Sequence, residues 1–232
     1  MKYYSILILL FVALNCQGQD TAKNASKHSI SFTGGMNVTY PNGSWVPGGP
    51  YGGKPIGSAG LWSSLSYSTI FLHTNHVSLG LKLGIGVVQY VYMAEFVEEV
   101  IYGPPTVVQK INAITFSPDI FSNITISKTI GWYNELGLSG EAVVYYQYDP
   151  NAIGDGEGYQ PPLNFTNENE FNLYLYYTTG ISINLNKNIT IVPLIAFPLL
   201  NFTTLSPQST SYVNIYNDFR TGIMITYNFN KK

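Results

Sequence analysis

The feature that most constrains the fold is a strict alternation of apolar and polar side chains. It is clearest between residues 77 and 87, where Val, Leu and Ile at the odd positions alternate with Ser, Gly and Lys at the even ones. A period of two places successive side chains on opposite faces of a β strand, whereas an amphipathic helix repeats every 3.6 residues. Almost no segment after Lys27 has the helical period. The chain is therefore predicted to be all-β.

Eight segments share this alternation and are predicted to be strands. They cover residues 30–40, 59–71, 77–87, 114–126, 135–147, 171–185, 189–199 and 219–229. The segment 189–199 is the least regular, because it is apolar on both faces and contains Pro193 and Pro198. Proline cannot donate a ladder hydrogen bond and is disfavoured inside a sheet.

The connections between these segments differ in length in a regular way. Tight turns are predicted near 73–75, 128–130 and 186–188, and long connections at 41–57, 94–111, 149–168 and 200–211. Short turns at one end and long loops at the other are typical of transmembrane barrels, whose short turns are periplasmic and whose long loops are extracellular. We therefore predict an eight-stranded, antiparallel, up-and-down transmembrane β-barrel.

A soluble barrel of the lipocalin type is the alternative, with its apolar face turned inward. Charged residues make up 10% of the chain, against about 25% in ordinary soluble domains. The polar faces of the strands would therefore make a poor surface against water. Aromatic residues also gather at the strand ends of the apolar face, as at the two interfaces of a membrane. They are Phe71, Trp132, Tyr227 and Phe229 at the turn end, and Tyr40, Tyr146, Tyr148 and Phe171 at the loop end.

The N-terminus has the pattern of an export signal. Lys2 is followed by an apolar run over residues 6–14, which is too short to span a bilayer as a helix. Cleavage after Gly18 gives a signal peptide at 1–18 and a barrel domain at 19–232. An uncleaved anchor and lipidation of Cys16 are alternatives, although Asn15 stands where a small residue normally precedes a lipidated cysteine. Cleavage leaves no cysteine, and so no disulfide or thiol chemistry.

Five charged residues fall on the face predicted to line the lumen. They are Lys82, Asp119, Glu135, Glu141 and Arg220. Side chains fill the interior of an eight-stranded barrel, and a buried charge needs a partner. We expect ion pairs here, with Arg220 facing Glu141 or Asp119. The pairs form either a packed polar core or a gate whose rearrangement opens a narrow path.

Catalysis, metal binding and nucleic-acid binding are not expected. A hydrolase of the outer leaflet needs a base beside a hydroxyl nucleophile, but His28, His73 and His76 all map to the turn end. These histidines fit polar rim positions better than a metal site, so we predict no catalytic residue, metal or cofactor. A net charge of −2 also argues against nucleic acid.

The last strand resembles the C-terminal β-signal that the barrel-assembly machinery reads in outer-membrane proteins. Arg220 is followed by Gly222, then by Ile225 and Tyr227 in alternation, and Phe229 resembles the terminal aromatic. Three residues follow Phe229, which departs from the usual pattern.

The predicted barrel as a whole resembles the small outer-membrane barrels that include the OmpA transmembrane domain, OmpX-like and PorT-type proteins. This resemblance implies a Gram-negative outer membrane, periplasmic termini, and contacts with outer-membrane lipid and the assembly machinery. It also suggests a role beside a larger outer-membrane or secretion machine.

Two functions remain open at this point: a non-porous structural, interaction or surface-recognition protein, and a narrow channel or small-ligand conduit. The ligand or partner and the oligomeric state are not encoded in any recognisable motif.

Overall fold

The computed structural model describes residues 28–39, 53–56, 58–96, 106–148, 171–202 and 218–229. The predicted signal peptide, including Cys16, lies outside these residues. No helix among them is long and apolar enough to cross a bilayer. The strands are β1 (His28–Thr39), β2 (Gly53–Ile56), β3 (Ser58–His73), β4 (Val77–Phe96), β5 (Thr106–Thr125), β6 (Ile130–Tyr148), β7 (Phe171–Asn184), β8 (Ile189–Asn201) and β9 (Asp218–Phe229).

Eight of these strands close into one barrel. Neighbours follow the order β4, β3, β1, β9, β8, β7, β6, β5, and β5 pairs again with β4. Every pairing is antiparallel. The seam between the first and last strands runs over the full length of both, from the pair His28 and Phe229 to the pair Thr39 and Asp218. The predicted eight-stranded antiparallel barrel is confirmed.

The hairpin of β4 and β5 is longer than the sequence pattern predicts. Both strands have 20 residues, against 12 in β1 and β9. The predicted loop over 94–111 was therefore too long, since Thr106 is already paired with Ala94. Four of the five residues from Val88 to Tyr92 are β-branched or aromatic, the exception being Gln89, so the segment keeps its β-propensity although its two faces no longer alternate between apolar and polar. The short β2, inside the predicted loop 41–57, adds to β4 beside Glu95.

Four register shifts interrupt the ladders of the described strands and break the alternation locally. One lies in β6, where Val143 pairs with Ala113 but the next pair joins Tyr145 to Asn112. Val144 is skipped, and both Val144 and Tyr145 are exposed. A bulge adds a residue without a cross-strand partner, so a strict period-two pattern cannot locate it.

The outer face of the barrel is apolar, whereas the buried polar side chains point into the lumen. Phe32, Leu61 and Ile85 are 55%, 64% and 58% exposed, whereas Ser31 and Ser66 are buried. This distribution is the reverse of a soluble barrel and is stable only where hydrocarbon covers the outer face. The soluble alternative is thereby excluded.

The irregular segment 189–199 is a barrel strand, β8, whose two apolar faces have different surroundings. Pro193 points outward and is exposed, at a break in the pairing with β7 between Leu194 and Ile191. Val192 and Leu194 are buried in the lumen. They belong to an apolar cluster in the turn half of the barrel, made of Phe121, Tyr133, Val192, Leu194 and Met224.

Candidate functional site

The five charged residues predicted for the lumen all project inward and form two groups. Arg220 of β9 and Glu141 of β6 make the upper group, toward the loop end. Lys82 of β4, Asp119 of β5 and Glu135 of β6 make the lower group, toward the turns. Of the two partners predicted for Arg220, the structure shows Glu141. Asp119 instead lies directly across the β4–β5 ladder from Lys82.

The upper group forms a brace, in which hydrogen bonds among Arg220, Glu141 and Tyr90 connect three strands across the lumen. Arg220 donates from Nη2 to Glu141 Oε1 at 2.5 Å and to the Tyr90 hydroxyl at 2.8 Å. Tyr90 in turn donates to Glu141 Oε2 at 2.6 Å. The three residues come from β9, β6 and β4, and two or three steps around the barrel separate each pair of strands. The triangle therefore crosses the lumen rather than lying along one wall.

Aromatic rings hold the guanidinium of Arg220 in place. Its Cζ lies 4.5 Å from the ring centroid of Tyr176 and 6.0 Å from that of Trp62. Cation–π attraction of this kind strengthens when the site is shielded from water. Trp62 is itself fixed by a hydrogen bond of 3.2 Å from Nε1 to the carbonyl oxygen of Thr221.

Glycines allow β1, β9 and the Trp62 ring to pack closely together. A Cβ on Gly222 would lie 2.7 Å from the Gly34 carbonyl oxygen and 3.1 Å from Trp62 Cζ2. A Cβ on Gly35, which pairs with both Trp62 and Gly222, would lie 1.9 Å from the Thr221 carbonyl oxygen. The glycine of the predicted β-signal thus also has a packing role in the folded barrel.

The lower group has two carboxylates for one ammonium group. Lys82 Nζ and the Tyr133 hydroxyl both bond to Glu135 Oε2. Asp119 Oδ2 is 3.7 Å from Lys82 Nζ and has no hydrogen-bond partner. Asp119 occupies a niche over Gly137, where a Cβ would come within 1.7 Å of Asp119 Oδ1.

Two small cavities lie on either side of Lys82. The cavity between the two charged groups has a volume of about 70 Å³ and reaches Arg220, Asp119 and Glu135. The cavity toward the turns has a volume of about 90 Å³. Its polar walls are largely paired with one another, as in Ser29 with Ser68 at 2.6 Å. Both cavities are polar enough to hold ordered water.

Apolar and aromatic side chains pack the loop half of the described lumen, around and above Arg220 and Glu141. Tyr174, Val88 and Tyr90 are at most 1% exposed. The whole cluster comprises Val88, Tyr90, Ile111, Ala113, Tyr174, Tyr176 and Ala196. Sequence reasoning did not single out Tyr90 or Trp62. Tyr90 is in phase with the predicted lumen residue Lys82, and Trp62 is in phase with the polar residues Ser64, Ser66 and Ser68 of its own strand. A longer count along each strand would therefore have found both.

Five of the eight predicted interface aromatics can be placed, and three of these five lie outside the predicted β-signal. Phe71, Trp132 and Phe171 are 62%, 48% and 58% exposed on the outer face. Trp132 donates from Nε1 to Thr179 Oγ1 at 2.9 Å. Tyr40 lies outside the described residues, as do the side chains of Tyr146 and Tyr148.

The residues of the predicted β-signal divide between the two faces of β9. Arg220 and Gly222 face the lumen, while Ile225, Tyr227 and Phe229 are 49%, 49% and 42% exposed on the outer face. The rings of Tyr227 and Phe229 pack edge to face, with centroids 5.5 Å apart.

The histidines are separated from the charged groups of the lumen. His28 Nδ1 is 2.7 Å from the Tyr67 hydroxyl, and His73 Nδ1 is 2.7 Å from Ser78 Oγ. His76 is exposed in the turn before β4. Over the residues that the structure describes, no three His, Cys, Asp or Glu side chains are grouped as metal ligands.

Comparison with known proteins gives matches among solved structures alone. No protein-family model matches the chain, and no curated protein matches it. The chain is similar to OprG from Pseudomonas aeruginosa, with 11% identity over 91% of this chain and 98% of that one and a TM-score of 0.46. It is similar to neisserial surface protein A, with 10% identity, coverage of 89% and 99%, and a TM-score of 0.45. It is also similar to Ail, the attachment invasion locus protein of Yersinia pestis, with 12% identity, coverage of 89% and 99%, and a TM-score of 0.44.

Proposed function

We propose that this chain is an integral protein of the Gram-negative outer membrane whose lumen is closed. In this proposal it acts as a structural or interaction subunit or as a surface recognition element, without catalytic activity. The apolar outer face requires contact with lipid hydrocarbon, and the strand signature at Arg220–Phe229 resembles the signal for insertion into that membrane. Outer-membrane lipid and the barrel-assembly machinery are the first partners.

The observation that carries the closed lumen is the brace of Arg220, Glu141 and Tyr90. It joins three well-separated strands by bonds of 2.5 to 2.8 Å. Tyr176 packs against it, and the apolar cluster of the loop half lies on its outer side. Passage of a solute through this layer would require desolvated charges to separate, which is costly in a low-dielectric interior.

The topology supports an orientation with periplasmic termini. His28 begins β1 and Phe229 ends β9 at the same end as the short turns, which run over 74–76, 126–129 and 185–188. Short turns are periplasmic in barrels of this type. Export by the signal peptide at 1–18 is consistent with this orientation.

In an interaction role, the surface that contacts the partner lies on the loops or the rims of the barrel rather than in the lumen. The partner in this proposal is another outer-membrane protein, including a component of a secretion machine. The test is to isolate a chain tagged in the segment 149–170 from native outer membranes in mild detergent and to measure the stoichiometry of co-purifying proteins. A stoichiometric partner supports a subunit role, and a barrel that is always recovered alone contradicts it.

A narrow conduit is the second candidate, favoured by the two cavities in series on either side of Lys82. This candidate requires the Arg220–Glu141 brace to open under working conditions. The two candidates predict opposite results for conductance across a planar bilayer.

A further inference from the structure

The charges of the described lumen do not balance. Arg220 and Glu141 form a one-to-one pair. Lys82, in contrast, faces two carboxylates, those of Asp119 and Glu135. When all three residues are ionised, the lower group therefore contains one negative charge that no positive charge of the group neutralises. An uncompensated charge inside a protein is expensive, because solvation by water is lost.

A second observation identifies Asp119 as the less well compensated of the two carboxylates. Its side chain is 5% exposed, and Oδ2 makes no hydrogen bond, although the carboxylate has a side-chain hydrogen bond with Ser117. The ammonium of Lys82 is 3.7 Å away and already bonds to Glu135, which also accepts from Tyr133. The niche over Gly137 holds Asp119 in this position.

Space and ligands for a small cation lie beside Asp119. The cavity of about 70 Å³ is lined by both carboxylates of the lower group and by several hydroxyl groups. Carboxylate and hydroxyl oxygens are hard ligands, which suit small cations without soft or nitrogen ligands. The charge deficit is a single unit, so a divalent ion would overcompensate it. The aliphatic hydroxyl groups that line the cavity belong to Thr33, Ser64, Thr115, Ser117, Ser139 and Thr178.

We propose that Asp119 and Glu135, with the neighbouring hydroxyl groups, bind one monovalent cation in the barrel lumen, either an alkali-metal ion or a proton. The charged and titratable groups around the site are Lys82 of β4, Tyr133 of β6, Tyr176 of β7 and Arg220 of β9. Glu141 is already paired with Arg220. The site does not depend on whether the barrel conducts, because it neutralises a charge that is buried in either case.

The test measures the unfolding temperature of the full-length protein in a nonionic detergent by circular dichroism. In the first arm, sodium or potassium chloride replaces N-methylglucamine chloride at pH 8 and constant ionic strength. In the second arm, the pH falls from 8 to 5.5 in N-methylglucamine chloride alone. A ligand that binds only the folded state stabilises it, and at ten times its dissociation constant it shifts the folding equilibrium about elevenfold. A response in the first arm identifies an alkali ion, and a response in the second identifies a proton.

A charge-balance series separates this binding from general salt and pH effects. Asp119→Asn removes the excess charge and should abolish the response that the wild type shows. Lys82→Gln removes the ammonium group that faces the two carboxylates and should enlarge the response. The double variant Lys82→Gln with Asp119→Asn again has one uncompensated carboxylate, that of Glu135, and should respond like the wild type. Lys128→Gln, an exposed lysine in the turn before β6, is the matched control and should change nothing.

Glu135→Gln also removes one lumen carboxylate and replaces Asp119→Asn if the latter does not fold. The pH arm is read as the difference between the wild type and the neutral variant, which cancels titration elsewhere in the chain. The proposal is overturned if the wild type responds in neither arm, or if Asp119→Asn responds as strongly as the wild type.

Discussion

Arg220 Nη2 lies 2.5 Å from Glu141 Oε1 across the barrel lumen, and the two side chains are 8% and 0% exposed. Neither charge is solvated by bulk water, so each depends on the other and on Tyr90. This pair joins β9, which closes the barrel against β1, to β6 on the opposite side. The same residues therefore stabilise the barrel and obstruct its bore.

Removing one member of this pair should destabilise the barrel strongly. For Glu141→Gln we expect a loss of about 3–5 kcal/mol in the free energy of unfolding, because the Arg220 charge stays buried without a counter-charge. Urea unfolding in lipid vesicles, followed by tryptophan fluorescence, measures this loss. The double variant Arg220→Met with Glu141→Leu leaves no buried charge and should recover most of the stability. A double variant as unstable as the single one would contradict the account.

Tyr90→Phe should weaken the brace without changing its charge. It removes the hydroxyl that accepts from Arg220 and donates to Glu141, and hydrogen bonds to charged groups contribute about 1.5–3 kcal/mol each. Tyr227→Phe is the control, because its hydroxyl makes only a 3.4 Å contact with Asn188 at the exposed rim. The same unfolding measurement compares the two, and equal losses would argue against a special role for Tyr90.

Gly222→Ala should disturb the packing of Trp62 independently of any role in assembly. The added Cβ would lie 2.7 Å from the Gly34 carbonyl oxygen, which cannot move without shifting β1. Overpacking of this kind costs about 1–3 kcal/mol. Gly34→Ala on the neighbouring strand is the matched control, since its Cβ would come no closer than 3.6 Å to any atom. Refolding into vesicles without the assembly machinery isolates the packing effect, and equal stabilities of the two variants would refute it.

The lipid-facing assignment predicts a dependence on depth for charged substitutions. Leu83 is 54% exposed in the middle of the barrel wall, and Phe71 is 62% exposed near the turn end. Arginine on the lipid face costs about 2–4 kcal/mol at the bilayer midplane and about 0–1 kcal/mol near the interface. Leu83→Arg should therefore be far more destabilising in vesicles than Phe71→Arg. Equal, small effects would indicate that water covers this face.

The sequence predicted the barrel because strand alternation depends on local chemistry alone. The segment 77–87 shows its lipid and lumen faces without any tertiary information. The bulge at Val144 and the backbone pairing of β2 with β4 at Lys54 and Glu95 depend on the neighbouring strand and leave no local pattern in the sequence. Strand β8 was recognised despite Pro193, whose position at a break in the β7 ladder only the structure shows.

The choice of partner for Arg220 illustrates the limit for the site. The sequence placed both Asp119 and Glu141 on the lumen face, so it left both as partners for Arg220. The register of the β4–β5 hairpin puts Asp119 opposite Lys82, which leaves Glu141 for Arg220. Register is fixed by turn geometry and bulges together with the pattern of faces, and those are not visible in a single sequence.

The most direct test of the closed lumen is the conductance of the purified, refolded protein in a planar bilayer. The account predicts that the wild type adds no stepwise conductance to that of the bare lipid, because the brace of Arg220, Glu141 and Tyr90 crosses the bore. Discrete conductance steps in the wild type that change in size in the Arg220→Met, Glu141→Leu variant would come from the lumen itself. That result would contradict a closed barrel and establish the conduit.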